Sequence, residues 1–97
     1  MRSELLVEAC GCSYRQIDYW VRTGYLRPER GRSGSGHWRR WPESEARIAI
    51  VMSRLIRCGF AVPDAARIAR AFIEQRTRSV RLTDGAMLML SDAIARA

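Results

Sequence analysis

The sequence predicts a mainly α-helical fold carrying one small β wing. Three observations predict it. Gly11 to Leu26, G-C-S-Y-R-Q-I-D-Y-W-V-R-T-G-Y-L, reads as a short helix bounded at both ends by its own chemistry. Arg27 to His37 is rich in glycine, serine and arginine and has no apolar period, so it cannot pack into a core and reads as a surface loop. Beyond it, apolar residues recur at helical spacing up to Gly59 and again after Pro63.

Taken in order, Ser3 to Cys10 reads as a first short helix with Leu5, Leu6 and Ala9 on one side. Gly11-Cys12 is the turn, and Ser13 to Thr23 is the second helix. Ser13 followed by Gln16 is a capping-box pattern, in which each side chain satisfies an amide of the first turn. Gly24 tolerates the left-handed conformation that ends a helix. Two short extended segments, Tyr25 to Arg27 and His37 to Trp41, flank the loop as a hairpin, although Trp38 and Trp41 are not in strict alternation.

Pro42-Glu43-Ser44-Glu45 opens a third helix, with proline near its first position and acids in its first turn. Its stripe is Ile48, Val51, Met52, Leu55 and Ile56. Pro63-Asp64 opens a fourth, with Ala65, Ile68, Ala69, Phe72 and Ile73 on one face. Val80-Arg81-Leu82 and Met87-Leu88-Met89 then flank Asp84-Gly85, a strong hairpin signal. The rival, one helix running through Leu88 to Ile94, is opposed by Gly85. Ser91 to Ala97 reads as a short closing helix. The expected division is a winged unit over 1–75 and a short extension over 76–97.

Composition narrows the function. A chain of 97 residues has room for one small core. Its net charge of +7 and pI near 10.6 favour a polyanionic partner. All 17 basic residues are arginine; a GC-rich genome accounts for that, and arginine also forks well onto phosphate and guanine edges. No apolar run is long enough to span a membrane, and Met1 to Leu6 lacks a signal-peptide stretch, so the expected location is cytoplasmic. Three cysteines form no disulfide framework. One histidine, no glycine-rich phosphate loop opening a helix and no paired carboxylates on a cleft-like segment argue against an enzyme and against a cofactor. Cys10, Cys12, Cys58 and His37 lack the usual zinc spacing, so no metal is expected.

A basic, aromatic helix preceded by another short helix has the form of an element destined for the major groove of double-stranded DNA. Ser13, Tyr14 and Arg15 open it, and Asp18, Tyr19 and Arg22 follow on it. The plainer reading of these residues is a solvated helix face. Trp20 is read as core. Arg27, Arg30, Arg32, Arg39 and Arg40 crowd into and beside the loop, where contact with phosphate would supply salt-sensitive affinity. His37, at the loop end, is a surface group or a phosphate donor.

Helix, turn, helix, basic wing and two further helices resemble the MerR-like winged helix-turn-helix family over roughly Leu5 to Phe72. Gly11-Cys12-Ser13 is similar to that family's Gly-Val-Ser turn. Arg15 to Trp20 is similar to its R-T-L-R-Y-Y helix, and Gly24 to Pro28 to G-L-L-x-P. Gly36 to Trp41 is similar to the wing's G-Y-R-x-Y, and Leu55 to Phe60 to L-x-x-x-G-F. Asp-Tyr-Trp resembles actinobacterial and phage-type members in particular. The resemblance implies a phosphate contact through the Tyr19 hydroxyl, with core packing the alternative, and makes Arg39 the wing arginine. Asp18 departs from the pattern, since the family usually has arginine there. Either it reads a cytosine amino group, or it orients Arg15 or Arg22 across the helix face.

Only some 25 residues follow Phe72, so no effector-sensing domain is expected, and the four-cysteine cluster of iron–sulfur members is absent from them. The resemblance implies a sequence-specific double-stranded DNA-binding protein acting as a transcriptional regulator without a ligand sensor. An excisionase-like directionality factor, or another phage architectural protein, shares the fold and the chemistry. A protein-interaction module is the rival from another class. Met87 to Leu90 is either a contact between two copies, giving a homodimer or a cooperative oligomer on DNA, or is packed within the chain.

Overall fold

The computed structural model describes residues 1–30 and 39–96. The described elements are α1 (Ser3–Cys10), α2 (Tyr14–Arg22), β1 (Glu29–Arg30), β2 (Arg39–Arg40), α3 (Glu43–Arg57), α4 (Val62–Glu74), β3 (Ser79–Thr83) and β4 (Ala86–Met89). A single 3₁₀ turn, Asp92–Ala95, follows. The fold is mostly helical with a small antiparallel wing, as the residues predict.

The helix ends carry out the chemistry written into them. The Ser13 side chain accepts from the Gln16 N–H, and the Gln16 side chain accepts from the Ser13 N–H, so the capping box is complete. At the other end Gly24 turns at φ 85°. Its N–H donates to the Val21 carbonyl at 3.0 Å and the Tyr25 N–H donates to the Trp20 carbonyl at 2.9 Å. That pair of bonds is the Schellman arrangement, and it consumes carbonyls that α2 would otherwise leave bare. Residues 55–60 close α3 in the same way, through Gly59 and Phe60.

The long helix α3 is the spine. Ile48, Val51, Met52 and Leu55 are almost fully buried. They pack against α1, through Leu6 and Cys10, and against α4, through Ala65, Ile68, Ala69 and Phe72. Ile17, Trp20 and Leu26 seat α2 and its exit on this core. Trp20 is therefore a core residue. Trp41, at 1% exposure, plugs the gap beside α1 and donates its Nε1–H to Ser3 Oγ at 3.0 Å.

The wing departs from expectation in one place. Its entering strand is Glu29–Arg30, not Tyr25 to Arg27. Pro28 has no N–H, and the Arg27 N–H is already committed to Glu45, so the ladder begins only beyond them. Glu29 pairs with Arg40 and Arg30 with Arg39. Arg40 also bridges to Arg2. Trp38 and the segment Gly31 to His37, expected as a loop, lie outside the described residues.

After α4 the chain forms the hairpin expected around Asp84-Gly85, with Gly85 at φ 79°. Val80 faces inward at 6% exposure, with Leu88 packed against the same core. Leu90 and Ala95 join it too, and Arg54 of α3 donates to the Ala93 and Ile94 carbonyls. The closing helix is reduced to the 3₁₀ turn. No described helix is long and apolar enough to cross a membrane.

Candidate nucleic-acid interface

Arg15, Asp18, Tyr19 and Arg22 recur at i, i+3, i+4 and i+7, which places them on one face of α2. Ile17 and Trp20 occupy the other face and are buried. The outer face is open: Tyr19 is 58% exposed, Tyr14 at the first turn is 46% exposed, and Arg15 is exposed. Core packing of Tyr19 is thus ruled out. The Ser13 hydroxyl serves the cap.

Asp18 lies at the centre of that face and holds two guanidinium groups. Its Oδ2 meets Arg22 Nε at 2.8 Å, one helical turn on. Its Oδ1 accepts from Arg39 Nη2 at 2.8 Å, across to the wing. The hydrogen bond from Arg39, with the charge of Arg22 beside it, holds the Asp18 carboxyl below its ordinary value of 3.8 despite some desolvation. So the carboxylate does orient Arg22, as the sequence allows. Its second partner is Arg39 rather than Arg15. Arg39 is not a free wing side chain: only 15% of it is exposed. Arg30 stands directly opposite Arg39 on the ladder. Like charges so placed repel, and Asp18 offsets that repulsion on the Arg39 side.

The arm entering the wing is held differently. Glu45, 7% exposed in the first turn of α3, accepts from the Arg27 N–H at 2.7 Å. Arg70 of α4 reaches the same carboxylate with both terminal nitrogens, at 3.0 and 2.8 Å. It also donates to the Tyr25 carbonyl at 3.0 Å and to Glu74 at 2.8 Å. Donation to Glu45, joined by Glu74, raises the Arg70 pKa further. Charges removed from water need hydrogen-bond partners to be tolerated, and here both carboxylate oxygens of Glu45 and both terminal nitrogens of Arg70 have them.

Sequence reasoning placed Glu45 only as a helix-opening acid and passed over Arg70. The one local signal was Arg70 and Glu74 at i, i+4. The link to Glu45 spans 25 residues and leaves no periodic trace.

Arg27, Arg30 and Arg40 are exposed on or beside the wing arms. Arg32 and His37 lie outside the described residues. Among the described residues no cluster of three or more histidine, cysteine or acidic side chains could hold a metal.

Residues 1–71, from α1 almost to the end of α4, match the family described as "MerR HTH family regulatory protein". The chain belongs to the MerR family. No curated protein matches it. The matched span takes in the two short helices, the wing and α3, which are the elements that carry the open basic face. Members of the MerR family are DNA-binding transcription regulators, and this chain has the helix-turn-helix and wing that such binding needs.

Proposed function

We propose that this MerR-family protein binds double-stranded DNA sequence-specifically as a transcription regulator, with α2 in the major groove and the wing on the flanking backbone. The observation that carries the reading is the open face of α2 latched to the wing through Asp18. A recognition helix reads bases with its first turns while basic groups around it fix the register on phosphate. Tyr14 and Arg15 are exposed at that first turn. Tyr19, Arg22, Arg27, Arg30 and Arg40 supply phosphate contacts, joined by Arg32 and His37 from the loop. In this reading Asp18 is a positioning residue, each of its oxygens turned to an arginine rather than to a base. Paired to two cations, it also presents little net negative charge to phosphate.

Selection of bound duplexes from a random pool, followed by footprinting, tests the reading. A defined consensus with affinity that falls steeply with salt is expected, each neutralised phosphate adding about −0.9 to the log–log slope. A flat salt response, or no enriched sequence, contradicts it. Arg15→Ala should alter the consensus, and Arg40→Ala should weaken all duplexes alike.

Two copies on one site are also part of the proposal. On the outer face of the hairpin Met87 and Met89 are 56% and 78% exposed, beside Arg81 and Ser79 across the ladder. One short helix and a wing read few base pairs, and pairing doubles the reading. Analytical ultracentrifugation of the full chain, free and on a two-site duplex, should show a dimer that Met89→Asp weakens. A monomer under both conditions at high micromolar concentration removes the contact.

A further inference from the structure

The DNA-binding reading makes no use of the cysteines. Cys10 ends α1, Gly11 turns through a left-handed φ of 64°, and Cys12 leads into Ser13, the cap of α2. Cys10 is 1% exposed and Cys12 half-buried, only the left-handed Gly11 stands between them, and each thiol shifts the protonation of the other. Arg57 of α3 closes over this turn. Its Nη2 donates to the Cys10 carbonyl, and a Cβ on Gly11 would lie 2.7 Å from that nitrogen. Two thiols and one fixed cation thus meet inside the turn between the two short helices.

We propose that Cys12 is a peroxide-reactive thiol and Cys10 its resolving partner, so that a hydroperoxide closes a Cys10–Cys12 disulfide within the turn. The two groups are differentiated for these roles. Cys12 is reachable from solvent, and it sits just ahead of the N-terminus of α2, where the helix dipole favours an anion. The Cys10 thiol donates to it and Arg57 stands near, which together hold Cys12 below the usual thiol range in spite of desolvation. Cys10 is pushed up, first by the partner thiol and then by burial, and keeps its proton.

The chemistry balances. The Cys12 thiolate attacks the nearer peroxide oxygen; an S–O bond forms, the O–O bond breaks, and the leaving oxygen takes a proton as water or alcohol. Cys12 is now a sulfenic acid and no longer an anion, so Cys10 loses its proton more readily. The Cys10 sulfur then attacks Cys12; the S–S bond forms and hydroxide leaves as water. Two electrons pass from the thiols to the peroxide. Two Cα steps of about 3.8 Å each bound the separation of residues two apart, and the left-handed bend at Gly11 shortens it toward the span a disulfide takes.

Cys58 provides the internal control. It is exposed, at the C-terminal end of α3. Exposure alone would make it react first. The reduced full-length protein is treated with hydrogen peroxide, quenched with an alkylating agent and mapped by peptide mass. Loss of two hydrogens from the segment holding Cys10 and Cys12 is expected while Cys58 is still alkylated as a free thiol. Cys10→Ser should stop at a Cys12 sulfenic acid that a 1,3-dione captures. Arg57→Gln should slow Cys12 oxidation several-fold. Should Cys10→Ser fail to fold, the half-exposed position serves instead: Cys12→Ser should abolish fast oxidation altogether. Earlier modification of Cys58, disulfide-linked dimers through Cys58, or over-oxidation of Cys12 with no disulfide would each overturn the proposal.

Discussion

The arm entering the wing, Tyr25 to Arg27, is held from behind by Glu45 and Arg70; Arg39, on the arm leaving it, is held from the α2 side by Asp18. Both anchors are arginine–carboxylate pairs at 2.8 Å, yet their surroundings differ. The Glu45 side chain is 9% exposed and receives three donors, one of them a backbone amide. The Asp18 side chain is 22% exposed and shares its load with Arg22, which is 77% exposed. A charge deep in the core cannot lose its partner without strong destabilisation. The Asp18 carboxylate, nearer the rim, can be rehydrated, so its loss costs less stability than loss of Glu45, even though its partner Arg39 is 15% exposed with Nη1 buried and unbonded. The entering anchor therefore belongs to the fold, and the leaving latch to the interface that α2 and the wing form together.

The largest effect should follow from breaking the entering anchor. Glu45→Ala leaves Arg70 with Glu74 and a carbonyl, and the Arg27 N–H without its acceptor. A loss of about 3 kcal/mol is expected, which for a domain of this size lowers Tm by ~15 °C. Thermal unfolding followed by circular dichroism measures it. An unchanged Tm would mean that the Glu45 network carries no weight.

Arg15→Ala comes next and touches neither anchor. It should leave Tm alone and cost about 1–3 kcal/mol at one base pair of the selected site. Loss spread evenly over all duplexes would place Arg15 on phosphate. Arg40→Ala removes a wing arginine that Asp18 does not hold. It should reduce the salt slope by roughly 0.9 while leaving base preference as it was.

The smallest effect concerns pH. The Asp18 carboxyl is depressed in the folded protein, so its contribution is complete above the ordinary value of 3.8 and is lost only as pH falls through the lower folded value. Between pH 5 and 8, then, the latch should not titrate. Carboxyl carbon shifts in NMR should show Asp18 titrating below its ordinary value of 3.8, and Arg39→Gln should move it upward.

Most of this fold was legible because its signals are local. Ser13 with Gln16, Gly24, Pro42 with its acids, and Asp84-Gly85 each act within a few residues, and each element appears where they put it. The wing strand was misplaced because what decides its start, Glu45 taking the Arg27 amide, lies 18 residues away. Asp18 stood out as a departure from the family pattern, and its link to Arg22 could be read from the i, i+4 spacing. Its link to Arg39 crosses 21 residues between a helix and a strand, and only the packed wing brings them together. Trp41 was legible as an aromatic near the wing but not as the plug against Ser3, since one aromatic carries no period.

In the proposed reading Asp18 and Arg39 act as one device that fixes the wing to α2. A double-mutant cycle tests it most directly, read as the ratio of affinity for the selected site to affinity for a scrambled duplex at one salt concentration. That ratio separates placement from bulk charge, since removing Asp18 also leaves its two arginines uncompensated toward every phosphate. Asp18→Asn and Arg39→Gln should each lower the ratio several-fold, and the double variant should lose far less than the product of the two single losses, because breaking either end opens the same latch. If the double variant instead loses the product of the two single losses, the residues act independently, and Arg39 is a phosphate contact in its own right.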